Sequence, residues 1–400
     1  MINVPQILSQ RSQRMQMNVL REILKVVSQP GIISLAAGNP APQSFPLELL
    51  TELSATVLAK YGPSSLQYDA TEGFQPLREA LLPYLTWQKG VQTTVDNILV
   101  FHGSQSVLDA VGKMLLTPGD KVALAAPTYV GALSAFNAYE PAYVSIATDE
   151  DGVVPAALDA VLARERVKFV YLIPTFQNPT GRTIPLERRR QIAEIVQAHQ
   201  VLLVEDDPYS ALRYSGDPLP PIQQFAPENV LYVSTFSKIL APGLRIGFCA
   251  TPAALKPYLV MAKQAADLHT SSFGQALAAE YLQGEHLEDQ LPRILAICQP
   301  RRDAMLQALA EHMPAGFSWN RPDGGMFLWL EGPEGFDAEQ LQQACLARGV
   351  AFVPGKYYYP EPDQGLASMR LNFTMADEAT ITKAIQIIGQ VAHQQMGAPV

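Results

Sequence analysis

Short apolar runs alternate with amphipathic stretches between about residue 50 and residue 290 of the chain. Several of the runs are continuously apolar, which is typical of strands that are buried on both faces of a parallel sheet. The stretches between them, such as residues 107–116 and 186–199, repeat their apolar positions with the period of a helix. The pattern predicts an α/β domain with a largely parallel sheet and helices on both faces. The apolar runs occupy residues 97–101, 122–125, 169–173, 201–204, 230–233 and 246–250.

The pattern changes after about residue 290. A long helical stretch at residues 294–313 precedes four short segments of strand character, which read FSW, GGMFLWL, VAFVPG and SMRLNF. These segments indicate a smaller α+β domain, and the first 45 residues are too few to form a core alone. We therefore predict a large domain over residues 46–290 and a small domain formed by residues 1–45 and 291–400.

Composition and charge exclude several classes of protein. The 400 residues are 48% hydrophobic and 17% charged, which excludes a disordered chain. The longest apolar runs fall far short of the ~18 residues of a membrane helix, and the first residues lack the apolar segment of a signal peptide. The net charge is −9, and the basic run Arg188-Arg189-Arg190 lies in a helical pattern, where a solvated helix face explains it better than nucleic acid. We expect neither a membrane nor a nucleic-acid partner.

The three cysteines, Cys249, Cys298 and Cys345, are far apart and form no CxxC pair, and the six histidines are scattered. This distribution predicts neither a disulfide framework nor a metal site. It fits a protein of the reducing cytoplasm.

Three segments with chemically useful side chains follow predicted strands, where ligands bind in open α/β sheets. In the first, Gly103, Ser104 and Gln105 lie between a strand and a helix. The free N–H groups of a helix N-terminus form an anion site, so Ser104 is a candidate phosphate ligand. The alternative is a serine that only caps its helix.

The second segment, VLLVEDDPY, places Glu205, Asp206 and Asp207 after an apolar strand. Carboxylates there are costly to bury without a partner. They could bind a metal, pair with a cationic group of a cofactor, or lie in a solvated loop.

The third segment, STFSKILAPGLRIG, follows another strand. Thr235, Ser237 and Arg245 are candidate phosphate ligands, and Lys238 beside them is a candidate Schiff-base nucleophile with a lowered pKa. A phosphate site, a buried carboxylate and such a lysine together match the requirements of pyridoxal phosphate, whose aldehyde takes a lysine and whose ring nitrogen takes an aspartate.

The chain resembles the fold-type I pyridoxal-phosphate enzymes, specifically the class I/II aminotransferases, and among them the 2-aminoadipate and kynurenine aminotransferase subgroup. The resemblance covers nearly the whole chain. It implies a homodimer whose large domain holds a mostly parallel, seven-stranded type of sheet. It rests on the segments QYDATEG, HGSQ, APTYVGAL, NPTG, VEDDPY, STFSKILAPGLRIG, DGGMF and SMRLNF, in that order.

The resemblance also implies roles for individual residues. The catalytic residues would be the Schiff-base lysine Lys238, the ring-nitrogen partner Asp206, and Tyr209, which hydrogen-bonds the ring oxygen together with Asn178. Tyr129 would stack on the ring, and Tyr68 would reach the phosphate of the other subunit. The phosphate ligands would be Ser104, Gln105, Thr235, Ser237 and Arg245. The substrate ligands would be Arg370, which grips the α-carboxylate, Asn178, Gly38 and Arg21.

The sequence departs from the subgroup at two places, whereas Arg21 matches a subgroup residue implicated in binding substrate carboxylates. Its N-terminal substrate loop reads AAGNPAP, so Ala37 and Asn39 flank Gly38 where a Gly-Gly pair is usual. Thr235 stands where serine is commoner, which keeps the hydroxyl. Arg21 fits a solvated helix position as well as a substrate contact.

The implied reaction is ping-pong transamination from an L-amino acid, such as 2-aminoadipate or an aromatic or branched-chain amino acid, to a 2-oxo acid, with 2-oxoglutarate as the expected acceptor. Lys238 would move the Cα proton as general base and acid. One alternative is a lyase or decarboxylase on the same fold. Another is a transcription regulator built on this domain, which we do not expect because only about 30 residues precede ISLAAGNP, too few for a DNA-binding domain.

Overall fold

The computed structural model describes residues 2–9, 11–12, 31–361 and 363–397 of the chain. Within these residues, α-helices alternate with short strands over much of the chain. The helices span Val4–Ile7, Leu47–Tyr61, Gln75–Pro83, Ser104–Leu115, Val130–Asn137, Pro155–Arg164, Leu186–Ala198, Lys256–Asp267, Ser272–Gln283, His286–His312, Ala338–Ala347 and Glu378–Gln395. The strands are β1 (Ile33–Ser34), β2 (Ile98–His102), β3 (Lys121–Ala125), β4 (Ala142–Ile146), β5 (Thr148–Asp149), β6 (Gly152–Val153), β7 (Val167–Leu172), β8 (Leu202–Asp206), β9 (Val230–Thr235), β10 (Ile246–Ala250), β11 (Ser318–Trp319), β12 (Phe327–Glu331), β13 (Val350–Ala351), β14 (Val353–Pro354) and β15 (Ser368–Asn372).

The central sheet has seven strands in the order β2-β10-β9-β8-β7-β3-β4. Neighbouring strands are parallel from β9 to β4, whereas β10 runs antiparallel to both β2 and β9. Each of the six apolar runs coincides with one of these strands within a residue or two. The predicted α/β fold with a mostly parallel seven-stranded sheet is confirmed.

The sheet is buried on both faces, as its continuously apolar strands predict. In β2, Leu99 and Phe101 pack into one core cluster, whereas Ile98 and Val100 pack into another. Alternate residues of a strand point to opposite faces, so helices must cover both sides. The carboxyl ends of the parallel strands are left as the edge at which polar side chains can gather.

A second sheet, in the order β11-β12-β15-β14, is antiparallel throughout. Leu35 from the N-terminal segment packs in the same cluster as Leu328 and Ile385. Helix His286–His312 runs through the predicted domain boundary, because its Ile294 packs with the central sheet and its Met305 with the second sheet. The domain boundaries themselves stay a prediction.

The solvated-face interpretation of the arginine run is wrong for Arg189, which is 1% exposed. Its guanidinium donates to four protein oxygens, among them the carbonyls of Ile184 and Pro174. Arg189 therefore joins helix Leu186–Ala198 to the loop that follows β7.

The cysteines Cys249, Cys298 and Cys345 are buried free thiols. In the described part of the chain, no helix is both long and apolar enough to cross a membrane. Among the same residues, no group of three or more His, Cys, Asp or Glu side chains could hold a metal ion.

Candidate active site

A cavity of about 410 Å³ opens at the carboxyl ends of the parallel strands, between the central sheet and the N-terminal loop. The structure brings most of the predicted site residues together around it. Those lining it are Gly38, Ser104, Gln105, Tyr129, Asn178, Asp206, Tyr209, Thr235, Ser237, Lys238, Arg245 and Arg370.

Asp206 is the last residue of β8 and is 2% exposed. Its Oδ2 accepts a hydrogen bond of 2.8 Å from the hydroxyl of Tyr171, whereas its buried Oδ1 has no partner. Burial raises the pKa of Asp206 to about 7, the Tyr171 hydrogen bond lowers it, and the charge of Asp207 raises it. A buried carboxylate with one unused oxygen requires a proton-donating group in the cavity.

The other two carboxylates of the segment are held elsewhere. Glu205 accepts the backbone N–H groups of Ile222 and Gln223, at 2.9 and 2.8 Å. Asp207 accepts the hydroxyls of Ser210 and Tyr232. Because all three carboxylates are buried, the solvated-loop alternative is excluded, and only Asp206 lines the cavity.

The amino group of Lys238 donates to the backbone carbonyl of Gly38 at 2.8 Å. The side chain opens onto the cavity but is otherwise enclosed by protein. This burial, followed by the charges of Arg370 and Arg245, lowers the pKa of Lys238 to about 8. About a tenth of the amine is then neutral at pH 7, far more than at its usual pKa, and a neutral amine is the form that acts as a nucleophile.

Hydroxyl and guanidinium groups gather at one end of the cavity. Thr235 Oγ1 lies 2.9 Å from Ser237 Oγ and also accepts the backbone N–H of Ser237. Helix Ser104–Leu115 begins there without a side-chain cap, so the capping alternative for Ser104 lacks support. Gly103 has a φ of 78°, and a Cβ on it would collide with the guanidinium of Arg245. These donors form a site of the kind that holds a phosphate.

Arg370, in β15, also lines the cavity and is 5% exposed. One terminal nitrogen donates to Asn178 Oδ1 at 2.8 Å, the other donates to the carbonyl of Ala36, and Nε has no partner. The guanidinium also lies over the rings of Phe327 and Tyr358. It is a fixed planar donor that suits a carboxylate.

Four more predicted residues line the cavity. The amide nitrogen of Asn178 is 3.5 Å from the hydroxyl of Tyr209, and both side chains are buried. Burial raises the pKa of Tyr209 and of Tyr129, so both phenols are neutral donors. Gln105 donates to the carbonyl of Gly131 at 2.7 Å, which fixes the backbone just after Tyr129.

Tyr68 is a predicted site residue that is not among the residues around this cavity. Tyr68 is 78% exposed and packs edge-on against His269, with ring centroids 5.6 Å apart. Arg21 lies outside the described residues, so its role stays a prediction.

Sequence reasoning missed the groups that support the site. Tyr171 lies inside an apolar run and looks like a core residue until strand pairing places it beside Asp206. Phe327 belongs to the DGGMF segment, to which no role was given. The carbonyl of Ala36 acts through the backbone, so no residue type signals it.

Comparison with known proteins agrees with this geometry. The model of the family described as aminotransferase class I and II matches residues 30–388. The chain is 41% identical over 394 residues to aromatic-amino-acid aminotransferase 1 of Thermococcus litoralis, covering 97% of this chain and 94% of that protein.

Two solved structures are similar over nearly their whole length. Kynurenine aminotransferase of Pyrococcus horikoshii, in complex with PMP, has a TM-score of 0.95 at 41% identity and covers 98% of each chain. The alpha-aminoadipate aminotransferase of Thermus thermophilus, complexed with N-(5'-phosphopyridoxyl)-L-leucine, has a TM-score of 0.90 at 36% identity, covering 99% of this chain and 100% of that chain.

The chain belongs to the aminotransferase class I and II family. It is a pyridoxal-phosphate-dependent transaminase, and the predicted family, enzyme class and cofactor are confirmed.

Proposed function

We propose that the protein transfers the amino group of an L-amino acid, either 2-aminoadipate or an aromatic or branched-chain amino acid, to 2-oxoglutarate by a ping-pong mechanism. The observation that carries the proposal is the buried Arg370, which lines the same cavity as Lys238 and whose Nε has no partner. A fixed guanidinium there suits the carboxylate that both substrates share. The named substrates of the similar enzymes support the donor classes.

The residues around the cavity fit the cofactor. Asp206 has one buried oxygen without a partner, which suits the protonated ring nitrogen of pyridoxal phosphate. The hydroxyls of Ser104, Thr235 and Ser237 and the guanidinium of Arg245 suit its phosphate. When bound, pyridoxal phosphate supplies an aldehyde for amino groups and a ring that accepts electrons.

Lys238 has two tasks in the proposed reaction. As a neutral amine it would hold the cofactor through its aldehyde carbon, and once a substrate amine has taken its place it would take the proton from the substrate Cα and deliver it to that cofactor carbon. A pKa of about 8 suits both directions, because the group can be deprotonated and reprotonated near neutral pH. The Gly38 carbonyl holds the amino group by its hydrogen bond while the lysine is free.

The other groups bind and orient. Arg370 and Asn178 bind the substrate carboxylate, and the backbone at Gly38 lines the same cavity. The Tyr209 hydroxyl and the Asn178 amide would donate to the ring oxygen of the cofactor, and Tyr129 would pack against the ring. An ionised Asp206 would keep the ring nitrogen protonated.

We also propose a homodimer with shared sites, in the cytoplasm. Tyr68 is exposed in one chain and remote in sequence from the phosphate ligands, so a partner subunit is required to give it the role that the family resemblance implies. A twofold axis would make the exchange reciprocal. The buried, unpaired cysteines support a reducing compartment.

The test is a screen of the twenty standard amino acids, 2-aminoadipate and kynurenine as donors. Glutamate formation from 2-oxoglutarate and consumption of the donor, with and without 2-oxoglutarate, are the two readouts. We expect glutamate with at least one of the proposed donors and no turnover without an acceptor. Steady turnover that needs no acceptor would overturn the proposal in favour of a lyase or decarboxylase.

A further inference from the structure

Tyr171 is a fully buried phenol to which the proposed reaction gives no role. It lies in β7, which pairs in parallel with β8, and it stands opposite Val204, two residues before Asp206. Its hydroxyl donates to Asp206 Oδ2 at 2.8 Å. Burial raises the pKa of Tyr171 well above its usual range, so the group keeps its proton and remains a donor.

The hydrogen bond makes the two oxygens of Asp206 unequal. Oδ2 is occupied by Tyr171, whereas Oδ1 is buried and without a partner. A carboxylate that can rotate freely would present either oxygen, or a point between them, to a ligand. Here one oxygen is fixed by the neighbouring strand, and the other is left for the cavity.

The phenol is held rigidly. Its ring packs edge-on against Phe136, with centroids 5.8 Å apart, and Phe136 in turn packs edge-on against Phe169. All three rings belong to the core on one face of the central sheet. The hydroxyl therefore cannot move away from Asp206 without disturbing that core.

The hydrogen bond also opposes the effect of burial on Asp206. Burial and the charge of Asp207 favour the protonated acid, while donation from Tyr171 favours the carboxylate. A neutral donor at this position stabilises the ionised form without adding a charge that would compete with the ring nitrogen.

We propose that Tyr171 is a positioning residue, whose hydroxyl fixes Asp206 Oδ2 so that an ionised Oδ1 faces the ring nitrogen of pyridoxal phosphate. This inference rests on the role of Asp206 in the proposed function. Tyr171 acts only through Asp206 and touches neither cofactor nor substrate.

The test compares Tyr171→Phe with Tyr232→Phe. Tyr232 is the matched control, because it is equally buried and donates to Asp207 instead of Asp206. It lies in β9, which flanks β8 on the side opposite to β7. Phenylalanine keeps the ring packing in both variants, and far-UV circular dichroism verifies that both fold. Two properties are measured on the holoenzyme: the dissociation constant of pyridoxal phosphate by equilibrium dialysis, and the 15N chemical shift of cofactor labelled at its ring nitrogen.

We expect Tyr171→Phe to weaken cofactor binding about tenfold, in line with one lost hydrogen bond to a charged group. The 15N chemical shift should show that the ring nitrogen loses its proton at a lower pH than in the unmodified enzyme. Tyr232→Phe should change binding less than about twofold and leave the nitrogen signal in place. Unchanged binding and an unchanged nitrogen signal in Tyr171→Phe, or equal changes in both variants, would overturn the inference.

Asp206→Asn separates this inference from the proposed function. If Asp206→Asn leaves the nitrogen signal unchanged, the role of Asp206 fails, and the inference fails with it. If Asp206→Asn shifts the signal and Tyr171→Phe does not, only the inference fails. We expect the two substitutions together to have the effect of Asp206→Asn alone, since Tyr171 acts through that carboxylate.

Discussion

The guanidinium carbon of Arg370 lies 4.3 Å from the centroid of the Phe327 ring. The same ring packs edge-on against Tyr209, with centroids 5.9 Å apart. Phe327 therefore contacts both the proposed carboxylate ligand and a proposed ligand of the cofactor. Since the site around Arg370 is buried, this cation–π contact is worth about 1–2 kcal/mol.

We predict that Phe327→Leu raises KM for the amino donor about five- to thirtyfold, which is that energy expressed as a ratio. The kcat should fall less, because Lys238 and Asp206 keep their partners. Steady-state kinetics with varied donor measures both constants. Phe336→Leu is the control, as this buried ring packs against Phe317 in the second sheet's core. If the fold-decrease in kcat exceeded the fold-increase in KM, a role of Phe327 in holding Arg370 would be contradicted.

A second prediction concerns the shape of the Arg370 side chain. Arg370→Lys keeps the positive charge but loses the planar pair of donors, one of which binds Asn178. We expect KM for every amino donor and oxo acid to rise about a hundredfold, since a lysine in this place cannot bind a carboxylate with two parallel bonds. Affinity for pyridoxal phosphate should stay within about threefold. A rise in KM confined to one substrate would show that Arg370 binds the side chain of that substrate instead of the shared carboxylate.

The stability of the cofactor-free protein should depend on pH through Asp206. Its pKa is about 7 in the fold against 3.8 in the unfolded chain, so the fold favours its protonated form. The stabilising contribution is complete below about pH 4 and is lost as the pH rises through 7. We therefore expect Asp206→Asn to become more stabilising relative to the unmodified protein, by about 4 kcal/mol, between pH 4 and pH 8, since each pKa unit corresponds to about 1.4 kcal/mol. Urea unfolding at several pH values measures this difference.

Asp377 provides the control for that measurement. This exposed carboxylate caps helix Glu378–Gln395, and its hydrogen bonds from Thr380 lower its pKa. Its contribution to stability is present above its unfolded pKa and lost as the pH falls, so Asp377→Asn should vary with pH in the opposite sense. If the stability of both variants, relative to the unmodified protein, changed with pH in the same direction, the pH dependence could not be attributed to Asp206.

A fourth prediction tests the shared site. Lys238→Ala lacks the base and Tyr68→Ala lacks the residue that would cross to the partner. In a mixed dimer one site carries both defects and the other carries neither, so mixing two inactive variants should restore part of the activity. The measurement requires that Tyr68→Ala alone be strongly impaired and that subunit exchange be verified. Absence of rescue under those conditions would mean that Tyr68 serves its own chain.

Much of the fold follows from the apolar pattern, because strands buried on both faces are continuously apolar. The edge strand β4 was not predicted, because it has no continuous apolar run. Its residues Tyr143, Val144 and Ser145 are only half-buried. The amino-acid composition of β10 also does not indicate that this strand runs antiparallel to its neighbours. Apolar pattern indicates that a residue is buried in a strand, but the direction of that strand depends on the path of the chain.

The site was predictable to the extent that its chemistry lies in side chains grouped in sequence. Thr235, Ser237 and Lys238 are such a group. Tyr171 and Arg189 could not be found in this way, because each is defined by partners distant in the chain. A tyrosine in an apolar run and an arginine on a helix have ordinary explanations until pairing and packing supply the contacts.

The central claim is that Lys238 carries the cofactor. Borohydride reduction of the holoenzyme, followed by proteolysis and mass spectrometry of the peptides, tests it most directly. We predict a pyridoxyl label on Lys238 alone, together with loss of the visible absorbance. Lys263 is an internal comparison, since it is also buried but donates to Asp267 and Thr270. A label on Lys263 or on any lysine other than Lys238 would contradict the account.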